Sequence, residues 1–164
     1  MGFIANLLGI NNSNVPQLGN SIYPAGAVAK VQSGTLPIIQ VDKLVLKTGE
    51  VCHYVDVAIR ITEKVVRHTK RVGGAYRIIG GLYASGGESV STPISQDQYT
   101  KGYLYITNKR IIFTSKTTPM EQQINKITAI TPYTDGVDIQ CGNKTYIFFV
   151  PNGSIFKRTI DLIV

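Results

Sequence analysis

Residues 63–77, EKVVRHTKRVGGAYR, hold the densest charge this chain offers to a ligand. From Lys64 onward the run carries Lys64, Arg67, His68, Lys70, Arg71 and Arg77 and no acid. Cations so spaced suit anionic head groups, phosphates or a polyanion. The competing reading is a solvated hairpin, because charge runs commonly do no more than face water. In an extended chain Lys64, His68 and Lys70 share one face and Arg67 and Arg71 the other, so a single flat patch needs an intervening turn.

Other chemistry finds less to work with. Cys52 adjoins His53, with Glu50 three residues before it. Neighbours on a strand point to opposite faces, and no C-x-x-C or H-x-x-H pair exists, so packing outweighs a metal site. Nucleophilic catalysis needs a nucleophile, a base and an orienting group within reach. The chain has two histidines and no G-x-S-x-G. Asp135 and Asp138, the closest carboxylate pair that invites attention, read as a turn residue and a solvent-facing strand residue. The doublets Gly73-Gly74, Gly80-Gly81 and Gly86-Gly87 match neither G-x-G-x-x-G nor G-x-x-x-x-G-K-[ST], and read as bends or bulges. The expectation is a protein with no catalytic residues, no metal and no cofactor.

The elements that must position the basic run follow from pattern. The chain has 164 residues, 43% hydrophobic, with nine Tyr, no Trp and a net charge of +7. That suits one strand-rich domain with a proper core. The charge leaves residues 1–41 with Lys30 alone. Two cysteines in a chain this size read as free thiols, with a disulfide as the lesser alternative. No run of 18 apolar residues exists, and MGFIANLLGI has no basic residue ahead of its apolar stretch, so a cytoplasmic location, peripheral to the membrane at most, is expected. Asn at position 6 also breaks the myristoylation pattern that Gly2 begins.

Residues 1–35 read as an arm. Phe3, Ile4, Leu7 and Leu8 fall on one face of a short helix, followed by a Gly/Asn/Ser/Pro segment from Gly9 to Gly26. The helix lacks the Lys and Arg of membrane-surface helices, which favours docking onto protein. Residues 36–164 then form the domain. In LVLKTGEVCHYVDVAIRI a strand, a turn at Thr48-Gly49 and a second strand are expected. KGYLYITNKRIIF (101–113) alternates on both sides of a turn at Asn108-Lys109, with Leu104 and Ile106 on one pleat face and Tyr103 and Tyr105 on the other. Asn is expected there for its tolerance of positive φ. KITAITPYTDGVDIQCGNKTYIFFV gives three strands turning at Asp135-Gly136 and Gly142-Asn143. Pro151 ends the last, and Ser154 is placed to cap a helix with Ile155, Thr159, Leu162 and Ile163 in one stripe.

Four of these segments together resemble the pleckstrin-homology-like and GRAM-like domains of small bacterial proteins. They are the L-x-L-K-x-G-E-x-C-H stretch at Leu44, Leu46, Lys47, Gly49, Glu50, Cys52 and His53; the Arg/Gly-rich hairpin with Gly73, Gly74, Arg77 and Gly80-Gly81; the ITNKRIIF hairpin; and Tyr133, Asp135, Gly136 and Val137. The resemblance spans roughly 37–150. It implies an α+β, mostly β, pleckstrin-like fold: bent antiparallel sheets or a partly open barrel closed by a C-terminal helix. It implies no shared activity, though such domains often bind anionic head groups near early strand pairs. The expected function is therefore a non-enzymatic interaction module. It docks on a protein partner or a second copy of itself through the arm or a sheet edge. The alternative is an anionic ligand on the basic hairpin 64–77, at an anionic membrane surface before nucleic acid, since only Tyr76 and Tyr83 lie near for stacking.

Overall fold

The computed structural model describes residues 15–78 and 82–164, without the side chains at 68, 71–78, 82–86 and 88–90. Among the described residues, helix α1 (Ala25–Gln32) precedes seven strands, β1 (Cys52–Ile78), β2 (Leu82–Thr107), β3 (Arg110–Thr114), β4 (Met120–Gln123), β5 (Ala129–Tyr133), β6 (Gly136–Cys141) and β7 (Lys144–Phe149). Helix α2 (Gly153–Ile163) follows. The fold is α+β and mostly β, with a C-terminal helix.

The strands form one sheet in the order β4-β3-β2-β1-β7-β6-β5. β4 and β5 are consecutive in sequence yet lie at opposite ends of that order. Laid flat, seven strands would separate the two edges by about 29 Å. The connection 124–128, which includes a 3-10 turn at Ile124–Lys126, reaches at most roughly 22 Å. The sheet must therefore curl until its edges approach, and the curl encloses the core.

That core holds Tyr54, Leu104, Ile106, Ile111, Phe113, Val137, Ile139 and Phe148, all at most 1% exposed. Alternation on β7 explains why both sheet faces are apolar: Tyr146 and Phe148 join this core, while Ile147 and Phe149 pack on the outer face with Ile59. The hairpin expected at 101–113 is present, with Ile106 opposite Ile111 and Leu104 opposite Phe113. The turns at Gly142-Asn143 and next to Gly136 are present too, the latter centred on Thr134-Asp135.

Several local expectations need correction. The residues 44–47 form no strand, and β1 starts only at Cys52. Instead the segment is held in irregular form by side-chain bonds described below. Asn108 does not take a positive φ, since among the described residues only glycines do. The turn closes differently: the Thr107 hydroxyl accepts from the N–H groups of Lys109 and Arg110. Asn152, and not Ser154, caps α2 by accepting from the Ile155 N–H at 3.1 Å. Its inward stripe is Ile155, Phe156, Thr159 and Ile160, with Leu162 and Ile163 only partly buried.

The arm divides. Residues 1–14 lie outside the described residues. Downstream of them, Tyr23, Ala27 and Val31 are core residues, and α1 is built into the domain, with Tyr23 against Tyr54 (4.7 Å) and Tyr54 edge-on to Phe156 of α2 (5.4 Å). The chain clusters into two compact units, 1–62 with 99–164, and 63–98. The smaller unit holds the C-terminal part of β1 and the N-terminal part of β2.

Candidate anion-contact ribbon

The basic run lies wholly within β1 and within the 63–98 unit, so it is extended. Lys64, Arg67 and Lys70 are exposed. His68, Arg71 and Arg77 sit on the same strand, with side chains outside the described residues. Phe3, Ile4, Leu7 and Leu8 of the expected docking helix lie outside the described residues altogether. Strand alternation puts Lys64 and Lys70 on one face and Arg67 on the other, as the sequence indicates. The ribbon therefore presents cations on two sides. Glu63 accepts a hydrogen bond from the Ser95 hydroxyl of β2 and is not an ion-pair partner for Lys64. None of Lys64, Arg67 and Lys70 forms an ion pair among the described residues.

Three other basic residues, Lys47, Arg110 and Lys157, do pair with carboxylates. Arg110 begins β3 and is 8% exposed. Its Nε and Nη2 donate to the two oxygens of Glu50 at 2.7 and 2.9 Å, and Nη1 lies 3.0 Å from Glu121. Glu50 also accepts from the Thr107 hydroxyl and from the Lys47 N–H, each at 2.7 Å. The guanidinium fork beside Glu50 holds its carboxyl down at about 2, against the opposing effect of burial. The same pairing raises Arg110 further above the usual range. Arg110 Nη2 also donates to the Val45 carbonyl at 2.9 Å.

Asn108 completes this clasp. Its Oδ1 accepts from the Val51 N–H at 2.9 Å and its Nδ2 donates to the Gly49 carbonyl at 3.0 Å. Gly49 has φ +70°, so the tight turn at 48–49 requires a residue without Cβ strain. The residues Lys47, Gly49, Glu50, Asn108 and Arg110 thus meet in space from two distant segments. This is a structural network: all three nitrogens of the Arg110 guanidinium are engaged, by Glu50, Glu121 and the Val45 carbonyl, which leaves no free two-nitrogen edge for a ligand. Sequence reading missed it. The available signal was a charged pair, Glu50 and Arg110, beside otherwise apolar strands.

The remaining candidates resolve into packing. Cys52 Sγ donates to the Tyr54 carbonyl, and burial pushes its thiol up to about 11. His53 Nδ1 is 2.7 Å from the Pro37 carbonyl. Cys52 and Cys141 are both free. Burial raises the Asp138 carboxyl, but no cluster of three potential metal ligands occurs among the described residues. Nor, among them, is any helix long and apolar enough to cross a membrane.

No family model, curated protein or solved structure matches this chain. The fold thus stands as a curled antiparallel sheet with a C-terminal helix, defined by its own topology.

Proposed function

We propose that this chain is a non-catalytic binding module of the pleckstrin-homology-like, GRAM-like kind that contacts anionic surfaces through residues 64–77. One observation carries the reading: Lys64, Arg67 and Lys70 are exposed, lie within seven residues of one extended strand and have no carboxylate partner among the described residues. Exposed cations on an extended strand create a local positive field for acidic partners. Near an anionic bilayer each contributes on the order of 1 kcal/mol.

The test compares the wild type with a variant carrying Gln at 64, 67, 70, 71 and 77. Sedimentation with anionic and with neutral vesicles, and with a sulfated polysaccharide, is followed across a salt series. The wild type should bind the anionic partners at low salt and release them as salt rises. The variant should bind at least about tenfold more weakly with an unchanged circular dichroism spectrum. Equal binding by the two proteins would reduce the ribbon to a solvated surface. Preference for vesicles over polysaccharide identifies a bilayer as the partner.

A second reading, docking onto protein or a second copy, draws on exposed Val65 (61%) and Ile94 (43%) on the same unit. The sheet edges favour it less. β4 has four residues and follows Pro119, and β5 has five and contains Pro132, which are the usual ways an edge is blunted. Concentration-dependent sedimentation that a Val65→Lys/Ile94→Lys variant abolishes would support this reading.

A further inference from the structure

Arg60 on β1 is the counterpoint to Arg110. It pairs in register with Phe148 of β7 and is half-buried. Its guanidinium carbon lies 5.3 Å from the Tyr146 ring centroid, and the Tyr146 hydroxyl accepts from Gln122 Nε2 at 2.9 Å. Nη1 donates to the carbonyls of Thr118 at 2.8 Å and Pro119 at 3.2 Å. Nε is buried and has no hydrogen-bond partner among the described residues. Nη2 makes no hydrogen bond to the described residues, and no carboxylate among them pairs with this arginine. The Thr118 hydroxyl, on the residue whose carbonyl Arg60 holds, is likewise buried and has no partner among the described residues.

A cation–π contact offsets part of the cost of withdrawing a guanidinium from water, but it leaves the donors of the Nε/Nη2 edge unused. That edge is the planar fork that fits two oxygens of one anion. Burial lowers the proton affinity of Arg60, and Tyr146 is what counters it, with no carboxylate contributing. We propose that the Nε/Nη2 edge of Arg60 receives one oxyanion, a carboxylate or a phosphate group, with the Thr118 hydroxyl as a further donor.

Nε is closed to bulk solvent, so the anion enters as the loop 115–119 shifts. That loop is tied to the sheet by the two Arg60 bonds and by a long 3.4 Å contact between the Thr117 and Thr100 hydroxyls. Lys116, exposed on the loop, adds a second positive charge. This site is distinct from the 64–77 run and uses none of its residues.

The experiment follows the arginine Nε–H signals of the full chain by NMR. Sodium phosphate and sodium acetate are titrated separately at constant ionic strength set by chloride. One signal, assigned by its disappearance in Arg60→Lys, should shift saturably, and the tighter arm identifies a phosphate or a carboxylate as the occupant. Arg60→Lys keeps the charge and loses the fork, so calorimetric affinity should fall at least about tenfold. Thr118→Val should weaken it several-fold, and serves if the Arg60 variant fails to fold. The five-Gln ribbon variant should leave the Arg60 shift unchanged. A static Arg60 signal in both titrations, undiminished binding in Arg60→Lys or Thr118→Val, or a shift lost in the ribbon variant overturns the assignment.

Discussion

Glu50 shows how much depends on single side chains here. Its carboxylate is fully enclosed, and four donors converge on it from Arg110, Thr107 and Lys47. Its proton affinity in the folded state, at about 2, lies below the ordinary 4.5. A depressed acid stabilises the fold above its unfolded value and loses that contribution as pH falls through the folded one. The difference corresponds to roughly 3 kcal/mol. Stability to urea should therefore drop between pH 4.5 and 2, and Glu50→Gln should flatten the part of that drop due to this residue. Arg110→Met should cost more than Glu50→Gln, about 3–5 kcal/mol, because it strands a buried charge. Chemical denaturation of the three proteins across pH checks both statements. Identical pH profiles for wild type and Glu50→Gln would remove Glu50 from the account of acid lability.

At the scale of elements, the start of α2 is the tightest joint. A Cβ on Gly153 would collide with the backbone carbonyls of Gly136 and Tyr133, so the helix can approach the β5–β6 turn only because residue 153 has no side chain. Rigid carbonyls cannot move aside as a flexible side chain would. Gly153→Ala should thus destabilise by about 2 kcal/mol or more, despite alanine's better helix propensity. The neighbouring cap behaves differently. Asn152→Ala removes one hydrogen bond to the Ile155 N–H and should cost about 1 kcal/mol. Thermal denaturation ranks the pair, and an Asn152 variant less stable than the Gly153 one would mean that the helix approaches the turn less closely. The hairpin 104–113 was legible from alternation alone, because period-2 burial is a local property. The role of Asn108 was not, since its partners at 49 and 51 are 57–59 residues away.

For the whole molecule, the placing of α1 decides what can be removed. Tyr23, Ala27 and Val31 sit in the main core, and Ser21 and the Ile22 N–H both bond Asp56. Deleting residues 1–35 should therefore unfold the domain or lower its melting temperature by many degrees, rather than release an independent arm. Burying three core side chains is worth several kcal/mol, comparable with the net stability of a domain. A deletion that melts at the wild-type temperature would show that α1 is dispensable. The basic ribbon belongs to this scale too: its charges come from one stretch of sequence, but their availability depends on which carboxylates the fold brings near them.

The sequence by itself determined the class of fold, the 101–113 hairpin, the three strands after it, the terminal helix and the position of the basic run. Each depends on periodicity, turn chemistry or local composition, which act over a few residues. The tertiary structure decided what depends on distance along the chain. It built α1 into the core, turned 44–47 into a clasped loop, moved the helix cap to Asn152 and curled the sheet so that its edges approach. It also separated the two interior arginines, giving Arg110 two glutamates and Arg60 only a ring and two carbonyls. In the sequence each arginine simply precedes an isoleucine in an apolar strand. Their difference arises because pairing depends on where the rest of the chain puts its carboxylates.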